Sequence, residues 1–97
     1  MRPSQALQHH REALLTLSTR HGLRNVRVFG SAARSEDRDG SDLDLLVDPT
    51  PDSTTLFDIV AMKEEAQKLL GVSVDVRTIA DIHERFRARV IKDAKPL

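Results

Sequence analysis

Three aspartates and a glycine–serine pair carry most of the chemistry available to this chain. Asp42 and Asp44 are separated by one residue in Ser41-Asp42-Leu43-Asp44, and Asp75 stands between Val74 and Val76. The apolar run from Leu43 to Val47 reads as a strand. Side chains alternate between the faces of a strand, so Asp42 and Asp44 share a face, with Cα atoms roughly 6–7 Å apart. Leu43, Leu45 and Val47 then face a core. The same parity sets Asp75 opposite Val74 and Val76. If the two strands are neighbours, three carboxylates converge on one exposed patch, where their mutual repulsion calls for a compensating cation. Oxygen donors suit a hard divalent ion, and Mg²⁺ that keeps waters and substrate phosphates fits best. The chain has no cysteine, and no histidine falls within these motifs, which disfavours zinc.

Gly30-Ser31 supplies the other half of a candidate site. It follows the β-branched and aromatic run Val26, Val28, Phe29, where a strand must turn into the next segment. Glycine lets backbone approach a ligand closely, and the following amides and the Ser31 hydroxyl can donate to phosphate oxygens. No Gly-Lys-Ser/Thr ending occurs between Gly30 and Gly40, so this is not a Walker A loop. Arg34 and Ser41 are weaker candidates for phosphate contact. Arg34 reads equally well as a surface residue, and Ser41 as a turn residue.

These residues need a scaffold. Leu7, Leu14 and Leu17 give a helical stripe from about Ser4, a plausible N-cap, to Arg20, with Gly22 as the stop. Strands follow at Val26–Phe29 and Leu43–Val47, separated by a polar stretch from Ser31 to Ser41. A second helix runs from about Thr55 to Leu70, its stripe formed by Leu56, Ile59, Val60, Ala66, Leu69 and Leu70, and Gly71 closes it. Val72, Val74 and Val76 alternate with polar residues as a third strand. A last helix begins at Asp81, with Glu84 three residues on, carries Ile82, Phe86 and Val90, and stops at Pro96. The expected fold is α+β: one small mixed β-sheet with helices packed on one face, and the site at an edge of the sheet. The first two strands are antiparallel, and the third is reached through the second helix.

Ninety-seven residues, 31 % charged and 39 % hydrophobic, describe a single globular domain spanning residues 1–97. Fifteen basic and fifteen acidic side chains balance, which argues against direct nucleic-acid coating. No apolar run is long enough to cross a membrane, and no secretory signal is visible, so the expected location is cytoplasmic. Adjacent His9 and His10 diverge by about 100° on a helix and are read as surface residues. Arg85, Arg87, Arg89 and Lys92 make the last helix basic, read as a solvated face. Plain ion pairing is the competing reading for Asp42 and Asp44 with Arg34 and Arg38, and for Asp75 with Arg77.

Gly30-Ser31, ten residues, then Asp42-Leu43-Asp44, with Asp75 on a later strand, resembles the signature of the DNA polymerase beta-like nucleotidyltransferase superfamily. The runs Val28-Phe29-Gly30-Ser31-Ala32-Ala33-Arg34 and Ser41-Asp42-Leu43-Asp44-Leu45-Leu46-Val47 are similar to its minimal branch, the MNT proteins, as is the tail from Phe86 to Leu97. The resemblance implies Asp42 and Asp44 as metal-bridging carboxylates and Asp75 as the third, activating the attacking hydroxyl. It further implies ATP as substrate, with Gly30 and Ser31 on its triphosphate. It also implies a partner: a HEPN toxin whose tyrosine hydroxyl accepts AMP, the MNT member being the antitoxin. Two other functions stay open at this stage. One is an antitoxin that neutralises by contact without catalysis; the other is nucleotidyl transfer to a small molecule or RNA.

Overall fold

The apolar runs assemble into one four-stranded sheet in the computed structural model, which describes residues 1–97. In chain order the elements are α1 (Pro3–His9), α2 (Arg11–Arg20), β1 (Leu23–Phe29), α3 (Gly30–Ala33), β2 (Leu43–Pro49), α4 (Leu56–Leu70), β3 (Val74–Arg77), a 3₁₀ turn (Ile79–Asp81), α5 (Glu84–Asp93) and β4 (Lys95–Pro96). Across the sheet the strands run β3-β2-β1-β4. β1 is antiparallel to both β2 and β4, whereas β2 and β3 are parallel. A parallel pair needs a crossover, and α4 provides it.

Strand parity places the core. Leu43, Leu45 and Val47 on β2 are fully buried, as is Val74 on β3. They share one cluster with Leu14 and Leu17 of α2 and with Met62, Ala66 and Leu70 of α4. Burying each Leu or Val of this set contributes about 1.5–3 kcal/mol. Leu46, on the same face of β2 as Asp44, is buried too. The carboxylate face is therefore covered at its middle, with Asp44 and Asp48 partly exposed on either side of Leu46.

α4 is closed at both ends, by Gly71 as its sequence predicts and by a capping box at Thr55. The Thr55 hydroxyl accepts from the Asp58 amide, and the Asp58 carboxylate accepts from the Thr55 amide at 2.7 Å. Gly71 takes the left-handed conformation, φ 70°, and donates to the Gln67 carbonyl. The buried stripe, however, is Met62, Ala66 and Leu70. Leu56 and Val60, expected inside, are exposed with Phe57, while Ile59 packs against the core on the line of Met62 and Ala66.

Other expectations need correction. The first helix is two, broken at His10, whose ψ of 21° leaves helical geometry. β1 starts three residues earlier than the alternation of its side chains suggests. Asn25, at φ 52°, forms a bulge between Arg24 and Arg27 that resets the parity, so Leu23 and Val26 both turn inward. The polar stretch after Gly30 opens with a short helix. Asp81 caps the 3₁₀ turn by accepting from the Thr78 amide and hydroxyl, and the cap of α5 is His83, whose Nδ1 accepts from the Arg85 amide. α5 ends at Asp93, and Pro96 lies instead in an edge strand, a position that tolerates its missing N–H.

One buried acid ties the first helix to the loop between β1 and β2. Asp37 is 3 % exposed, and its Oδ2 accepts from the Ser4 amide at 2.8 Å, capping α1 from 33 residues away. Ser4 is therefore the capped residue rather than the N-cap it was expected to be. Burial raises the Asp37 pKa, but hydrogen bonds from Ser4 and from its own backbone, with the charge of Arg2, together outweigh it and leave the carboxyl below its ordinary value. Asp37→Ala should cost about 1–3 kcal/mol in urea denaturation. The wild-type contribution should be complete above the ordinary aspartate pKa of about 3.9 and fade as pH falls through the lowered folded value.

Candidate active site

Two neighbouring strands bring the acids together. Asp44 on β2 and Asp75 on β3 are register partners in the parallel pair, so their side chains leave the same face of the sheet side by side. Asp42, two residues before Asp44, is exposed at the start of β2. On the other side of β2, Phe29 is the register partner of Asp44, and Gly30 follows it into α3. Gly30 has φ 72°, and a Cβ there would overlap Asp44 Oδ2 and stand 3.2 Å from Asp44 Cγ. Glycine is required here both for backbone conformation and for the space the carboxylate occupies. Ser31 is half-buried in the first turn beyond it.

The charges interact. Asp44 has its pKa raised, first by burial, then by the negative charges of Asp75 and Asp42, with Arg77 and Arg34 opposing the rise. Asp75 accepts from Arg77 Nε at 2.9 Å. Convergence is thus electrostatic rather than a closed cage: no three acid or histidine side chains are near enough to share one ion. Three anionic side chains repel, and Arg77 supplies the counter-charge that Asp75 takes here. The donors are nevertheless all oxygen, and their mutual repulsion is what a hard divalent cation would relieve, so the donor chemistry fits such an ion although the three side chains do not enclose one as they stand.

Two of the weaker candidates have other partners in this structure. Arg34 binds Glu36 at 3.0 Å and Asp93 at 2.8 Å, joining the end of α3 to α5. The Ser41 hydroxyl accepts from the Arg38 amide at 3.0 Å, the turn role. Neither Asp42 nor Asp44 forms an ion pair with Arg34 or Arg38, whereas the pairing expected of Asp75 with Arg77 is present.

A cavity of about 400 Å³ opens over Asp44 and Asp75, with Phe29, Arg77, Ile82, His83, Phe86 and Val90 among its walls. Sequence reading assigned none of these walls to the site. The signal lay in register and period: Phe29 faces Asp44 across the strand pair, and Ile82, Phe86 and Val90 recur every four residues. That stripe faces the cavity mouth, and Phe86 is 50 % exposed. A larger hollow, about 550 Å³, lies at the opposite end of β1 beside Leu15, Asn25 and Leu97, and no acids gather there.

A mixed sheet with two in-register acids on adjacent strands, a third acid two residues upstream and a glycine turn against them defines a class of enzymes that transfer nucleotidyl groups. Residues 9–97 match the nucleotidyltransferase domain family, and the chain belongs to it, within the minimal nucleotidyltransferases. It is 37 % identical over 87 residues to the protein adenylyltransferase MntA of Thermococcus cleftensis, spanning 84 % of this chain and 87 % of that one. It is 35 % identical over 81 residues to a candidate protein adenylyltransferase of Methanocaldococcus jannaschii, spanning 84 % and 86 %. A solved structure of a candidate minimal nucleotidyltransferase superposes with TM-score 0.86 at 45 % identity, over 97 % of this chain and 95 % of that one. A toxin–antitoxin structure with AMP-PNP shares the fold at TM-score 0.73 and 17 % identity, over 88 % and 69 %. The chain is a nucleotidyltransferase whose relatives are named protein adenylyltransferases.

Gly30→Ala should displace the Asp44 carboxylate and lower nucleotidyl transfer at least tenfold, while costing about 1 kcal/mol or more of stability, read from steady-state rates and urea titration. Asp75→Asn should move the Asp44 pKa back toward the ordinary aspartate value, followed by the Asp44 carboxyl ¹³C shift against pH. In the wild type the sign is opposite to that of Asp37. Protonation of Asp44 favours the folded state, so its contribution grows as pH falls through the raised value.

Proposed function

We propose that this enzyme transfers AMP from ATP, with Mg²⁺, to a tyrosine hydroxyl of a partner HEPN toxin, and so acts as an antitoxin. The observation that carries the proposal is the register pairing of Asp44 with Asp75, with Asp42 upstream and the Gly30 turn alongside. Asp42 and Asp44 would hold the cation against the triphosphate, and Asp75 would complete the set. Mg²⁺ would supply neutralisation of the phosphate charge and bring attacking and leaving oxygens into line. Gly30 and Ser31 would donate backbone and hydroxyl hydrogens to the triphosphate oxygens. Arg34 and Ser41 would assist from the loop only after leaving their present partners.

In the transfer, the phenol oxygen attacks the α-phosphorus as its proton passes to Asp75. The bond from the α-phosphorus to the bridging oxygen breaks, and pyrophosphate leaves. Arg77 holds Asp75 by one hydrogen bond on an exposed rim, an ion pair worth about 0–1 kcal/mol, so a cation can displace it. Relatives named protein adenylyltransferases support the acceptor class, and the fold shared with a toxin–antitoxin structure supports the partner.

A second reading, neutralisation by contact alone, draws on the engagement of Asp75 by Arg77. One experiment separates the two. Asp42→Asn should leave the melting temperature within a few degrees of wild type, because Asp42 is exposed, yet abolish labelling of a co-expressed HEPN partner by [α-³²P]ATP. Labelling that survives the substitution would sink the catalytic assignment. Cells protected by the unlabelled variant would point to contact alone.

A further inference from the structure

Resting on the proposed transfer, we infer that Phe86, with His83 and Arg85, forms an acceptor-binding subsite for an aromatic hydroxyl side chain flanked by acidic residues. The ring belongs to the wall of the same cavity that holds Asp44 and Asp75. It remains 50 % exposed although it lies on the apolar stripe of α5. Two contacts fix its orientation. His83 meets it edge-on, with centroids 6.2 Å apart and planes at 63°, and the Arg85 guanidinium lies 5.6 Å from the ring centre. A ring held in place yet half open to solvent is a shelf for a second flat group.

Topology decides which group that is. The Gly30 turn follows β1 and Asp75 lies on β3, on opposite sides of β2. A triphosphate on the Gly30 amides therefore lies to one side of Asp44, and the attacking hydroxyl to the other, beside Asp75. His83 and the first turn of α5 come directly after β3 and its 3₁₀ turn, whereas the helix then reaches β1 and α3, its far end held there by Asp93 and Arg34. The shelf flanks the acceptor's approach rather than the nucleotide's.

Charge adds the second half of the specificity. The whole chain is formally neutral, but Arg85, Arg89 and Lys92 on α5 are exposed and none of them has a carboxylate partner. Arg85 and Arg89 are four residues apart and so line one side of the helix next to Phe86. Arg87, by contrast, is spent on the Ile79 and Ile82 carbonyls. An acceptor segment with acidic residues beside its tyrosine would match this rim.

The test uses the whole chain saturated with AMP-PNP and three five-residue peptides, with affinities measured by NMR titration. One has tyrosine between glutamate pairs, one tyrosine between lysine pairs, and one alanine between glutamate pairs. The acidic tyrosine peptide should bind best and shift the His83 and Phe86 ring signals. Phe86→Ala should weaken it about tenfold, and Phe86→Leu, which keeps bulk without the ring, should weaken it as well. Affinity for AMP-PNP, measured without peptide, should be unchanged in both variants. Loss of AMP-PNP affinity in Phe86→Ala would assign the shelf to the nucleobase and overturn the inference, as would equal binding of the three peptides. Peptide binding that depends on Phe86 but leads to no labelling with ATP and Mg²⁺ would uphold the subsite and refute the transfer.

Discussion

The structure turns on the parallel pairing of β2 with β3, which sets Asp44 beside Asp75. Strand spacing and side-chain alternation leave these two carboxylates no other place, because rotating either strand would expose Leu45 or Val76 to water. The hydrophobic burial that holds the sheet thereby forces negative charges together. Asp44 has a pKa raised first by burial and then by these charges, and Asp75 takes an ion pair to Arg77. Such opposition between packing and electrostatics is what a site for a polyanionic substrate with a hard cation requires, since the repulsion is relieved when positive charge arrives.

Around this pair the rest of the chain acts as support. α4 makes the crossover that renders β3 parallel, and its closed ends set where β3 begins. The bulge at Asn25 lets β1 bury Leu23 and Val26 and still present Phe29 opposite Asp44. Asp37 fastens the loop between β1 and β2 to α1, so a helix remote in sequence steadies the segment that follows Gly30. α5 closes the far wall of the cavity, anchored to the loop through Asp93 and Arg34.

Much of this was legible beforehand because it depends on period and spacing. The apolar run Leu43–Val47, the alternation through Val72, Val74 and Val76, and the turn signals at Gly30 and Gly71 placed Asp44 and Asp75 on two strands of a mixed sheet. Long-range partners escaped. Nothing local links Ser4 to Asp37, Arg34 to Asp93, or Lys95 and Pro96 to the edge of β1. The bulge hid half of β1, since one extra residue inverts the alternation by which strands are recognised. Phe86 and Val90 were read correctly as one face of a helix, but sequence period cannot say whether that face meets a core or a cavity.

The connection from Gly71 to Ser73 shows where this chain resists change. Gly71 ends α4 in a left-handed conformation, and the Ser73 carbonyl accepts from the Leu43 amide at 2.8 Å, so three residues bring the chain from helix to registered strand. One residue inserted or deleted here would shift the phase of β3 by half a period, turning Asp75 inward and Val74 outward together. Length variation should thus be purged from this joint while the exposed positions around it drift freely, and in a lineage of such domains the spacing between helix end and third acid would be kept longer than most of the letters that fill it.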